Sequence, residues 1–315
     1  MLVNGVWTED WQPVQAKDDE GRFIRQTSSF RHWITPDGSA GPTGYAGFKA
    51  EADRYHLYVA YICPWASRAL MVHQLKQLTD IISISVVQPQ LGAQGWQFGD
   101  FPSANHDDLN HAQYLHEIYT QADVNFTGRA TVPVLWDKKL NTIVNNESAD
   151  IIRMLNSAFD GITGNRLNLY PNHLATEIDD LNQAIYSQLN NGVYQAGFAS
   201  SQSAYEEAYN NVFTMLDKLE QQLSDQRRYL LGDALTETDI RTFVTLVRFD
   251  AAYHGLFKCN RNTLASMPNL HAYMLRIYAL PSIKDTVNLT HIKAGYYSIK
   301  TLNPNGIIPA GPASL

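Results

Sequence analysis

Cys63 is followed by Pro64 and stands at the end of an apolar run, in the stretch YHLYVAYICPWASRALMVHQL from Tyr55 to Leu75. A cysteine at a strand-to-helix junction has a specific chemical opportunity. Unpaired N–H groups and the positive end of the helix dipole stabilise a thiolate there, and the thiolate is the nucleophile. Proline suits the first helical position, because its missing N–H would have no partner in any case. The other cysteine, Cys259, is remote, and Ala66 rather than a second cysteine stands three residues after Cys63. An internal disulfide is therefore not the expected chemistry. A mixed disulfide on Cys63 would be resolved by an outside thiol, which points to glutathione as co-substrate. The plainer reading is a small buried hydrophobe, the commoner fate of a lone cysteine; the junction is what favours reactivity.

Two further segments fit a peptide-like thiol ligand. TVPV (Thr131–Val134) puts a proline inside an apolar run, where a central strand tolerates it poorly. A cis Val132–Pro133 peptide is expected, exposing the backbone of Val132 for pairing with such a ligand; the alternative is an edge strand with trans proline. In NNESAD (Asn145–Asp150), Glu147 and Ser148 open a helix. They read either as a cap and first-turn acid or as a grip on an amino-acid head group. In that second reading Ser148 donates to a carboxylate and Glu147 takes the ammonium.

Other polar patterns are assigned to folding. Thr236 and Asp239 in LTETDI have capping-box spacing. His106, His111 and His116 recur every five residues, off any common helical face, and no nearby cysteine completes a zinc set. No metal is expected. Tyr194 in NNGVYQAGF, and Tyr296 with Tyr297 in HIKAGYYSIK, read as packing residues as readily as pocket residues.

The elements that must position these residues fall into a clear order. Residues 1–50 are rich in Gly, Pro, Ser and Thr and carry Trp7, Trp11, Phe30 and Trp33, so they are read as an extended arm pinned by aromatics. Tyr55–Ile62 reads as a buried strand, Pro64–Leu78 as a helix and Ile81–Val87 as a second strand, a β-α-β opening with parallel strands. A long insert, residues 88–130, turns helical over Gln113–Gln121. Thr131–Asp137 and Asn141–Asn146 then form a hairpin, followed by a helix over Glu147–Phe159. This is the thioredoxin arrangement. From His173 onward the pattern is helical, with candidates at Leu174–Leu189, Ser203–Leu223, Thr236–Ala252, Asn269–Leu280 and Ile283–Thr286. The expected organisation is an arm over 1–50, a thioredoxin-like α/β domain over 51–160 and an all-α domain over 173–315, the glutathione transferase layout.

The bulk numbers bound the function classes. The 24 basic and 31 acidic residues give a net charge of −7 without a basic stripe, which argues against nucleic acid. No segment approaches a membrane span or a signal peptide, so no membrane partner is expected. Two cysteines make no disulfide framework, and a reducing cytoplasm is the expected location.

Together these segments resemble the Xi-class glutathione transferases, also called glutathionyl-hydroquinone reductases, along essentially the whole chain. The resemblance is carried by DRYHLYVAYICPWASRAL, GRATVPVLWDKK, IVNNESADIIRMLN, NNGVYQAGFA, RFDAAYHGLFKCN and HIKAGYY, in that order. It implies a glutathione-dependent reductase that cleaves a glutathionyl group from a hydroquinone through a mixed disulfide on Cys63. It further implies that Trp96, Arg129, Val132, Glu147 and Ser148 hold glutathione, that Tyr194 and Tyr296 line the aromatic pocket with Tyr297 beside them, and that the chain is a homodimer. One departure is visible: Ser67 stands where the family commonly carries histidine after Cys-Pro-Trp-Ala. Two readings compete with this one. The same cysteine would serve a general omega-like thiol transferase or dehydroascorbate reductase, and a glutathione-binding module without chemistry would keep the fold alone.

Overall fold

The computed structural model of the protein describes residues 1–9 and 16–312, and Trp11 lies outside the described residues. The chain divides into two compact units. The first takes Thr27–Leu167 and Thr286–Gly295 with residues 1–9; the second takes Asn168–Asp285 with residues 16–26 and 296–312. Among the described residues, no helix is long and apolar enough to cross a membrane.

The first unit is built on a short hairpin and a four-stranded sheet. The hairpin joins β1 (Leu2–Val3) to β2 (Val6–Trp7). The sheet contains β3 (Tyr55–Val59), β4 (Ile82–Val86), β5 (Val134–Asp137) and β6 (Thr142–Asn145), in spatial order β4-β3-β5-β6. β3 and β4 are parallel, in register from Tyr55 with Ile82 to Val59 with Val86. β5 runs antiparallel to both β3 and β6. Every residue of β3 is buried, as a central strand covered on both faces requires. The crossover between β3 and β4 is α1 (Pro64–Leu75), and α3 (Ser148–Ser157) follows β6 and packs against α1. Helix α2 (Leu115–Ala122) arises in the long insert.

The expected strands and helices of this unit are present, mostly with shorter ends; α2 instead starts two residues later and ends one residue later than expected. Helix α1 stops at Leu75 rather than Leu78, because Gln77 adopts a left-handed φ of 57° that cannot continue the helix. Strand β5 begins only at Val134, after a Val132–Pro133 peptide that is cis as expected.

The sheet has one polar face that the insert covers. His56 sits between the hydroxyls of Ser83 and Ser85, at 2.7 and 3.0 Å. The Tyr58 hydroxyl donates to Asp107 at 3.1 Å and accepts from Asn110 at 2.8 Å. The arm protects the free edge of β6. The His32 N–H donates to the Val144 carbonyl at 2.9 Å, and the Asn146 N–H donates to the Phe30 carbonyl at 3.1 Å. Helix α4 (Asp160–Thr163) is a single turn beyond α3 that the sequence pattern does not suggest.

In the second unit the main helices are α5 (Ala175–Ile185), α6 (Gly192–Phe198), α7 (Gln202–Gln222), α8 (Glu237–Arg248), α9 (Pro268–Tyr278) and α10 (Pro281–Lys284). Two of them pass into π turns, at Tyr186–Asn190 after α5 and Phe249–Tyr253 after α8. The expected long helices over Leu174–Leu189 and Thr236–Ala252 are therefore each an α-helix with a wider turn at its end. Thr236 and Asp239 do form a capping box. Buried Asp239 also accepts from the Leu230 N–H at 2.9 Å and the Tyr273 hydroxyl at 2.7 Å, tying α8 to α9.

Helix α11 (Leu289–Tyr296) is not expected from the sequence pattern. Its residues up to Gly295 belong to the first unit. A Cβ at Gly295 would lie 2.3 Å from Ile62 Cδ1 and 2.5 Å from the Pro89 carbonyl oxygen, so glycine permits the helix to meet the loop that ends in Cys63.

Candidate active site

Cys63 is the N-cap residue of α1, half-buried, with extended backbone. The Ala66 N–H points at its sulfur, 3.5 Å away, and Pro64 holds the first helical position. Sγ also lies 3.5 Å from the Val132 carbonyl oxygen, the carbonyl immediately before the cis proline. A thiol at this place donates to Val132, and a thiolate accepts from Ala66. Ser67 is buried in the first turn, and its N–H donates to the Cys63 carbonyl at 3.0 Å.

The loop of Val132 is joined to the turn before α3 through one phenol. The Tyr119 hydroxyl, on α2, donates to the Thr131 carbonyl at 2.8 Å and accepts from the Asn146 side-chain amide at 3.0 Å. Burial raises the Tyr119 phenol above its ordinary range, so it works as a neutral hydrogen-bonding group. Sequence reasoning missed Tyr119. Its partners are remote in sequence, and only its place on the inward face of a helix beside Ile118 marks it.

The turn itself is fixed from both sides. Glu147 is the N-cap of α3: one carboxylate oxygen accepts from the Ala149 N–H at 3.1 Å and the other from the Ser28 hydroxyl at 2.9 Å. Ser148 is buried at the first helical position, its hydroxyl 3.4 Å from Glu147. Arg31 pairs with Asp150 in the first turn, and Asp150 also accepts from the Asn145 side-chain amide at 3.1 Å. The result is a helix N-terminus flanked by a carboxylate and a hydroxyl, which fits an amino-acid head group bearing both charges. Trp96 and Arg129 stand half-buried in loops on either side of α2, and the Trp96 carbonyl accepts from the Leu115 N–H at 2.9 Å. These residues of the first unit suit a thiol tripeptide: backbone pairing at Val132, a charged head at α3 and a sulfur to face Cys63.

The second unit brings Tyr194 and Tyr296 together. Their hydroxyls lie 2.6 Å apart, and Tyr296 also meets the Tyr253 hydroxyl at 2.8 Å. Tyr253 and Tyr296 are buried, and that burial holds both phenols protonated well above the ordinary range. Tyr194 is the half-buried member, and the Arg25 guanidinium lies 4.8 Å from its ring centre. The rings pack around Phe257, which approaches Gly197 so closely that a Cβ there would lie 2.4 Å from the ring. Tyr297 is buried outside this phenol cluster, its hydroxyl beside Gly255.

The sequence pattern does not single out Tyr253. It ends the π turn Phe249–Tyr253, and Tyr194 lies four residues beyond the π turn Tyr186–Asn190. Such turns add one residue to a helical frame and re-aim the side chains that follow, which no 3.6-residue periodicity predicts. Among the described residues no group of three or more His, Cys, Asp or Glu is arranged to hold a metal ion.

Comparison with known proteins agrees with these features. The family model for the glutathione S-transferase N-terminal domain matches residues 62–158, and that for the C-terminal domain matches residues 202–276. The glutathionyl-hydroquinone reductase YqjG of Escherichia coli K12 is 51% identical over 314 residues, covering 99% of this chain and 95% of that protein. The glutathione-bound structure of YqjG superposes with a TM-score of 0.91 at 49% identity, covering 99% of this chain and 95% of that one. The glutathione S-transferase Xi of Phanerochaete chrysosporium superposes with a TM-score of 0.89 at 47% identity, covering 95% of each chain. The chain therefore belongs to the glutathione transferase family, and within it to the Xi class of glutathionyl-hydroquinone reductases.

Proposed function

We propose that the protein is a glutathione-dependent reductase that removes the glutathionyl group from glutathionyl-hydroquinones. One observation carries this reading: Cys63 caps α1 with the Ala66 N–H on its sulfur and the Val132 carbonyl at its side, in a chain 51% identical to a named glutathionyl-hydroquinone reductase.

In the first step Cys63, as thiolate, attacks the sulfur of the glutathionyl adduct. The new bond is Cys63–S to glutathione sulfur, and the bond that breaks joins that sulfur to the aromatic carbon. The carbon keeps the electron pair and needs a proton. We assign that proton to the phenol cluster, with Tyr194 as donor and Tyr296 hydrogen-bonded behind it, buttressed by Tyr253. Such general-acid help is worth about 10²–10⁴-fold. In the second step a glutathione thiolate attacks the Cys63 mixed disulfide, releasing oxidised glutathione and the Cys63 thiolate. The sum is one glutathionyl-hydroquinone plus one glutathione giving hydroquinone plus glutathione disulfide.

Glutathione is held, in this reading, by the backbone of Val132, by Glu147 on its ammonium, by Ser148 and the α3 N-terminus on its carboxylate, and by Trp96 and Arg129. The reaction consumes reduced glutathione, so we assign the protein to the reducing cytoplasm. We also assign it a homodimeric state, checked by light scattering on the purified protein.

The competing reading is a general thiol transferase using the same cysteine. Tyr296→Phe separates them. The proposed function expects roughly 10²-fold slower turnover of a glutathionyl-hydroquinone with little change toward a small glutathione mixed disulfide. Equal losses on both substrates would favour the thiol transferase.

A further inference from the structure

We propose that the amino-terminal hairpin is a clamp that holds the two glutathione-contacting loops, those of Trp96 and Arg129, in the geometry the thiol substrate needs, with Trp7 as its positioning residue. The hairpin is locally specified. Asn4 and Gly5 have φ of 47° and 76°, the two-residue turn with both residues left-handed that an Asn-Gly pair between valines favours. Its backbone locks onto the segment before Arg129. The Leu2 N–H donates to the Gly128 carbonyl at 2.9 Å, the Gly128 N–H returns to Leu2 at 3.0 Å, and the Gly5 N–H donates to the Phe126 carbonyl at 2.9 Å. A Cβ at Gly5 would lie 1.9 Å from the Val124 carbonyl oxygen, so the docking is close.

Trp7, at the end of the hairpin, reaches the other loop. Its indole N–H donates to the Ala93 carbonyl at 3.0 Å, and its ring lies 3.0 Å from where a Cβ on Gly95 would be. Gly92 and Gly95 exchange two backbone hydrogen bonds, closing the tight turn that presents Trp96. The same indole stacks on His116 of α2, with ring centres 4.6 Å apart, and His116 in turn bonds the Gln94 side chain at 3.0 Å. Trp96 thus follows a turn gripped by Trp7 from outside and by α2 from beneath, while the hairpin's first strand holds the residue before Arg129. Neither loop contains a regular element of its own over Gly92–Trp96 or Gly128–Arg129. Their placement comes from these long-range contacts, and ordering them in advance removes an entropic cost from glutathione binding.

This inference rests on the reading that Trp96 and Arg129 hold glutathione, and its test separates the two. Steady-state kinetics with varied glutathione, and amide hydrogen exchange of the whole protein, are measured for wild type, Trp7→Ala, Trp7→Phe, His116→Ala and Trp96→Ala. Trp7→Ala is expected to raise KM for glutathione by roughly tenfold while kcat at saturating glutathione stays within about twofold, the signature of lost binding rather than lost chemistry. Exchange should accelerate over 92–97 and 126–129 and remain at the wild-type rate across β3 and α1. Trp7→Phe keeps an aromatic ring to stack on His116 but loses the N–H and part of the indole that meets Gly95, so its KM should fall between. If Trp7→Ala does not fold, Trp7→Phe and His116→Ala carry the same comparison. Wild-type exchange over both loops in the folded Trp7 and His116 variants would overturn the clamp. Trp96→Ala with unchanged KM would instead overturn the glutathione assignment, and the clamp would then stand or fall on the exchange rates alone.

Discussion

The Cys63 sulfur lies 3.5 Å from the carbonyl oxygen of Val132, joining two residues 69 positions apart. That oxygen belongs to the residue before the cis proline and is a hydrogen-bond acceptor of the neutral thiol. Ionisation of Cys63 removes its hydrogen bond to Val132 and keeps the Ala66 N–H, at 3.5 Å, as a favourable contact. A docked glutathione that pairs with Val132 would therefore compete with the thiol form.

The two cysteines should differ sharply in reactivity. Cys259 is fully buried, and burial pushes its thiol up to about 12. Cys63 is half-buried at a helix N-terminus. Brief treatment of the folded protein with iodoacetamide at neutral pH should modify Cys63 alone, with Cys259 reacting only in denaturant. Equal labelling of both in the folded state, read by peptide mass, would contradict the assignment of Cys63 as the reactive thiol.

Tyr119→Phe removes the hydroxyl that links the cis-proline loop to the turn before α3. It leaves the buried Asn146 amide and the Thr131 carbonyl each short of a partner, which costs about 1–3 kcal/mol. The expected outcome is a melting temperature lower by several degrees together with a raised KM for glutathione. An unchanged KM in a folded, destabilised variant would confine Tyr119 to stability.

Acid should weaken the first unit through His56. Burial between Ser83 and Ser85, with Lys138 nearby, lowers its imidazole to about 4, below the ordinary value near 6.5. The unfolded chain then binds more protons in that interval, so the contribution of His56 is complete above pH 6.5 and is lost as pH falls toward 4. The full shift corresponds to roughly 3 kcal/mol. His56→Gln should flatten the pH dependence of the urea midpoint between pH 6.5 and 4. An identical slope in wild type and variant would remove His56 from the account.

Much of this was legible in the chain because the signals are local. A proline behind a cysteine at the end of an apolar run marks the junction of β3 and α1, and an acid and a serine before an amphipathic stretch mark the start of α3. The cis peptide before Pro133 is expected, over an edge strand with trans proline, from proline inside an apolar run that follows the Cys-Pro junction. What was not legible depends on contacts remote in sequence or on altered helical phase. Tyr119 acts only through partners at 131 and 146, and Tyr253 takes its direction from a π turn. Helix α6 is absent from the helices expected from the sequence pattern; it contains Gly192 and Gly197, and Gly197 admits the Phe257 ring. The Asn-Gly pair at 4–5 between valines was a hairpin signal inside a segment whose composition suggested only an extended arm.

The most direct measurement concerns the sulfur of Cys63. The protein is mixed with a glutathionyl-hydroquinone in the absence of free glutathione, quenched in acid and digested for mass analysis, and the freed hydroquinone is quantified. The account predicts one glutathionyl group on the peptide containing Cys63, one equivalent of hydroquinone released, removal of the adduct by added glutathione, and none of these in Cys63→Ser. Release of hydroquinone with Cys63 unmodified, or by Cys63→Ser at the wild-type rate, would contradict it.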